Sequence, residues 1–94
     1  ILAYAIIFLG LVFEGEVVKG MTVLNALQAS TVAGKIIFTY SIDRANRLKV
    51  LTLDGYSASW GKSLVFYLNH FVIDSGQIHM ITIGYGDVVT IKTK

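Results

Sequence analysis

Apolar and polar positions alternate along much of this chain, and the alternation breaks where glycine, asparagine or aspartate stands. Ala3 to Leu9 and Leu11 to Val18 read as two strands turning near Gly10. In the second, Val12, Glu14, Glu16 and Val18 share one face and Phe13, Gly15 and Val17 the other, because successive strand side chains point to opposite sides. Past Lys19-Gly20 the period changes. Val23, Leu24 and Leu27 are spaced three and four apart, which predicts a helix over Thr22 to Ala29 with one buried face. Thr22 is placed to cap it by accepting from a first-turn amide. Residues 30 to 34, Ser-Thr-Val-Ala-Gly, are expected to end it.

Strands follow at Ile36 to Ile42 and Leu48 to Leu53, with turns at residues 43–46 and at Asp54-Gly55. Leu64 to Leu68 and Phe71 to Ile73 flank Asn69-His70, a two-residue connection that predicts a tight hairpin. Both central residues of the commonest such turn take positive φ, a conformation in which Asn and His are enriched. Asp74-Ser75-Gly76 turns the chain again, and Asp87 to Lys92 alternates as a closing strand. Strands, one capped helix and further strands predict an α+β fold, β-grasp-like, with one mixed sheet and a single helix packed across one face.

Composition narrows the picture. Ninety-four residues suit one domain over 1–94. Hydrophobic residues are 54% of the chain and charged residues 15%, well under the roughly 25% of an average soluble domain. Such a chain is expected to hide an apolar edge or face in a homo-oligomer or against another partner. The formal charge of +2 comes from scattered lysines and arginines, a pattern that disfavours nucleic-acid binding. Absence of cysteine excludes disulfides, thiolate metal sites and a cysteine nucleophile.

Two stretches invite a membrane reading. Thr82-Ile83-Gly84-Tyr85-Gly86-Asp87 spells a potassium-channel selectivity filter, which needs a membrane helix after it. Seven residues follow in this sequence, against about 20 apolar residues for a span. The expected role is therefore a tight turn, with glycines for positive φ and Asp87 bonded to local amides. Ile1 to Phe13 is apolar apart from Tyr4 and Gly10, but as a helix it would reach about 20 Å, short of a roughly 30 Å hydrocarbon core. A strand is expected there. The alternative is an external domain with a truncated membrane anchor over residues 1–13.

The chain resembles the transcobalamin-like β-grasp domains of unknown function, which occur in secreted or surface proteins and are related to the small domain of cobalamin carriers. The resemblance rests on Gly20-Met21-Thr22-Val23-Leu24-Asn25-Ala26-Leu27, on Ser59-Trp60 leading into Phe66-Tyr67-Leu68-Asn69, and on Gly86-Asp87-Val88-Val89. Two departures stand out: His70 occupies the place of the family's hairpin glycine, and Gly61-Lys62-Ser63 separates Trp60 from the following strand. The resemblance implies an extracellular or cell-surface setting and a small hydrophobic or corrinoid ligand.

The candidate chemistry is sparse. Tyr56, Trp60 and Tyr67 can build an aromatic platform for a flat ligand, since such rings combine a large contact area with a polar tip. His70, Asp74 and His79 have residue types that hold zinc or copper, although a histidine at a turn tip points to solvent. No activated nucleophile accompanies these histidines. Glu14 and Glu16, two apart on one strand face, read as an exposed polar face. The function expected from the sequence is a non-catalytic ligand-binding or protein-interaction module with no cofactor identified.

Overall fold

Left-handed turn residues decide where this proline-free chain reverses. Leu9 and Gly10 take φ of 49° and 82°, and Asn69 and His70 take 51° and 75°. The second pair is the positive-φ turn read from the sequence. The computed structural model describes residues 3–57 and 64–93. In chain order the elements are β1 (Ala3–Phe8), β2 (Leu11–Glu16), α1 (Val23–Val32), β3 (Phe38–Ile42), β4 (Leu48–Leu53), β5 (Tyr56–Ser57), β6 (Leu64–Leu68), β7 (Phe71–Ile73) and β8 (Val88–Thr93). A 3₁₀ turn at Ser75–Gln77 follows β7.

A five-stranded sheet has the order β2-β1-β8-β6-β7. Its centre is the parallel pair of β1 and β8, and its other neighbours are antiparallel. First and last strands side by side, with a helix across one face, make an α+β, β-grasp-like arrangement. Tyr4, Ile6 and Phe8 of β1, Val89 and Ile91 of β8 and Phe66 of β6 share a core with Val23, Leu24, Ala26 and Leu27 of α1. The predicted faces of β2 hold: Phe13 and Val17 pack on this core, and Val12, Glu14 and Glu16 are exposed.

The architecture differs from a single sheet in one respect. β3, β4 and β5 form a separate three-stranded sheet. Phe38, Leu48, Val50 and Leu53 are buried in the same core, so this layer lies on the helix side of the large sheet instead of lengthening its edge.

The helix also runs past its expected end, to Val32. Ser30 is fully buried, and its Oγ accepts from the Ile36 amide at 2.9 Å. Thr31 Oγ1 donates to the Leu27 carbonyl at 3.0 Å and accepts from the Phe38 amide at 3.0 Å. Residue types that weaken a helix in isolation are here used to fasten its last turn to the start of β3. At the other end Thr22 caps the helix as expected, in a reciprocal box with Asn25. The Val23 and Leu24 amides donate to the carbonyls of Ile81 and Ile78 at 2.9 and 3.0 Å, so the backbone approaching the last turn satisfies first-turn donors.

That last turn is the filter-like stretch. The Asp87 carboxylate accepts from the Gly84 amide at 2.7 Å and from Asn69 Nδ2 at 2.8 Å, and Gly86 has φ of 82°. The Gly86 amide donates to the Ala3 carbonyl at 2.8 Å. Thr82 to Asp87 is thus bonded into the sheet as the turn that launches β8. Residues 3–8, within the stretch that invites an anchor reading, form a central strand, and among the described residues no helix is long and apolar enough to cross a membrane.

Candidate functional site

Among the described residues, the two tyrosines singled out from the sequence do not come together. Tyr56 packs edge-on against Phe8, ring centroids 5.5 Å apart, and so lies on the core side of the large sheet. Tyr67 pairs with Thr90, and Thr90 with Ile7, on the side facing away from α1. The two tyrosines therefore stand on opposite sides of the sheet and share no platform. Trp60 lies outside the described residues.

His70, Asp74 and His79 have different surroundings. His70 is exposed at the tip of the β6–β7 hairpin. Asp74 Oδ1 accepts from the Gly76 amide at 2.8 Å and from Arg47 Nη2 at 3.0 Å. The Gly76 amide first, then the Arg47 guanidinium, hold this carboxyl below its ordinary range. His79 Nε2 donates to the Asn46 carbonyl at 2.8 Å. Among the described residues no group of three or more His, Asp or Glu side chains is gathered to hold a metal ion.

A site that composition alone does not reveal is the open face of the five-stranded sheet. Register sets Val12 of β2 beside Ile7 of β1, Ile7 beside Thr90 of β8, Thr90 beside Tyr67 of β6, and Tyr67 beside Val72 of β7. One row thus crosses all five strands with Thr90 as its one polar member. Its ends are well exposed, Val12 at 54% and Val72 at 67%. α1 and the three-stranded sheet lie on the opposite side, and the described residues place no layer on this one. Contiguous exposed apolar surface rimmed by polar residues marks sites of interaction.

Charge is arranged on either side of that row. Glu14 and Glu16 stand on the outer strand β2, opposite Ala5 and Ala3. Lys92 stands on β8, and its Nζ lies 5.2 Å from the centre of the Tyr67 ring, a cation–π contact. Between β2 and β8 the small side chains of Ala3 and Ala5 leave a recess of about 170 Å³, bordered by Glu14, Asp87 and Val88. Asp87 already accepts from Gly84 and Asn69, whereas the structure shows no hydrogen bond or ion pair from Glu14 to another described residue. The recess thus has an apolar floor and an acidic rim, which suits the stem and head of a long basic side chain.

Compared with known proteins, the chain matches no protein-family model, no curated protein and no solved structure.

Proposed function

We propose that this domain is a non-catalytic interaction module and that the open face of its five-stranded sheet is the binding surface. The observation that carries the reading is the row Val12, Ile7, Thr90, Tyr67 and Val72, which crosses the whole sheet on the side away from α1. Burying such a row stabilises a complex by roughly 25 cal/mol for each Å² of apolar surface removed from water, less the cost of association. The resemblance to transcobalamin-like β-grasp domains adds a surface or secreted setting to the proposal, and a small hydrophobic or corrinoid molecule as one ligand class.

Two probes test it: 8-anilinonaphthalene-1-sulfonate, followed by its own fluorescence, and cobinamide, followed by protein fluorescence. A saturable response in the natural chain, lost in a Val12→Asp/Val72→Asp variant that keeps its circular dichroism spectrum, is the expected result. A saturable response left unchanged by both aspartates places the binding surface elsewhere and contradicts the reading.

A further inference from the structure

We infer that a second copy of this chain docks on the open sheet face, seating its Lys92 in the recess over Ala3 and Ala5 against Glu14. This rests on the reading of that face as the binding surface and goes beyond it by naming the partner.

The two charges are related by symmetry on the open face. Ile7 pairs with Thr90, so Lys92 lies one strand over from Ile7 and two residues along the β1 direction. Ala5 pairs with Glu14, so Glu14 lies one strand over on the other side and two residues back. On this face the lysine and the glutamate are therefore placed symmetrically about Ile7. Strand and residue spacings put each of them about 8 Å from it. A two-fold axis in the plane of the interface, passing through Ile7 and perpendicular to the Glu14–Lys92 line, exchanges the two charges. It lays each copy's Lys92 over the other's Glu14 and sets Ile7 against Ile7 at the centre. Such an isologous contact uses one patch twice and closes on itself.

Within a single copy this pair cannot form. Their separation on the sheet is about 16 Å from the same spacings, and Lys92 rests over Tyr67. The recess beside Glu14 matches what the arriving side chain needs: its methylene stem covers Ala3, Ala5 and Val88, and its ammonium reaches the acidic rim.

The size of the face sets the expected strength. Five strands of about six residues cover roughly 24 by 20 Å, less than the about 800 Å² per partner of a standard interface. The dimer is accordingly expected in the micromolar range or weaker, and raised salt should loosen it because its charges lie near the rim.

Sedimentation velocity from micromolar to millimolar protein tests the inference. The natural chain should pass from monomer to dimer. Glu14→Lys or Lys92→Glu alone should weaken dimerisation about tenfold or more through like-charge contacts, and the combined Glu14→Lys/Lys92→Glu exchange should restore it. Both positions are exposed, and unchanged circular dichroism verifies that each variant folds. A natural chain that stays monomeric throughout, or single variants that dimerise as well as the natural chain, overturns the inference. An exchange that fails to restore dimerisation overturns it too. A monomer whose probe binding is still abolished by the Val12 and Val72 aspartates would overturn the second copy as partner while leaving the binding surface standing.

Discussion

Asn69 grips the start of β8 through Asp87. Its Nδ2 donates to Asp87 Oδ1 at 2.8 Å, its Oδ1 accepts from the Val88 amide at 2.9 Å, and its own amide donates to the Val88 carbonyl at 2.9 Å. One residue thereby turns the β6–β7 hairpin and anchors the turn over residues 84–87. Asn69→Gly keeps the left-handed backbone and removes the side-chain bonds, whereas Asn69→Ala loses both. Urea unfolding should show Asn69→Gly less stable by about 1–2 kcal/mol, with Asn69→Ala lower again by up to about 1 kcal/mol. Equal stability of Asn69→Gly and the natural chain would remove the anchoring role.

Tyr4 and Gly15 stand opposite one another on β1 and β2, and the ring of Tyr4 occupies the space a side chain at position 15 would need. A Cβ there would lie 2.5 Å from the tyrosine Oη. Gly15→Ala should therefore cost about 1–3 kcal/mol, the usual penalty of overpacking, and Gly15→Ala with Tyr4→Ala should cost less than the sum of the two single changes. Additive costs in thermal unfolding would contradict the contact.

The same tyrosine predicts a loss of stability in alkali. Tyr4 is 2% exposed, its hydroxyl donates to the Ala26 carbonyl at 3.3 Å, and burial pushes its pKa up. The folded state therefore holds this proton more tightly than the unfolded state, and stability falls as pH rises above the ordinary tyrosine value near 10. Tyr4→Phe should flatten that fall while costing about 1 kcal/mol near neutrality for the lost hydrogen bond. Identical alkaline unfolding curves for the two proteins would count against it.

Arg47 and Asp74 join the β3–β4 turn to the 3₁₀ turn at 3.0 Å, and the guanidinium lies where a Cβ on Gly76 would fall. Because the Asp74 carboxyl is held low, the folded state binds its proton less readily. Its contribution is present above the ordinary aspartate range and is lost as pH falls below it. Asp74→Asn should reduce the loss of stability on acidification below about pH 4. Acid unfolding that is unaltered by the substitution would contradict this.

The sequence carried the strands and turns well because their signals are local. The period of two in β2, the Asn69-His70 turn and the Thr22 cap each sit within a few residues. What escaped depends on distant partners. The last turn of α1 is stabilised by Ser30 and Thr31 through amides at Ile36 and Phe38, so propensity alone ended the helix early. The Arg47–Asp74 pair spans 27 residues. Tyr56 and Tyr67 look alike in the sequence, and the pairing register sends them to opposite sides of the sheet. The candidate surface was half legible: Val12, Glu14 and Glu16 share a predicted face, but their relation to Lys92 required the parallel β1–β8 register.

Backbone-amide NMR, recorded as protein concentration is raised and separately as 8-anilinonaphthalene-1-sulfonate is added, tests the binding surface most directly. Both series should shift the amides of Val12, Ile7, Thr90, Tyr67 and Val72 while those of α1 stay in place. Shifts gathered on α1 and the three-stranded sheet, with the open face unmoved, would contradict it.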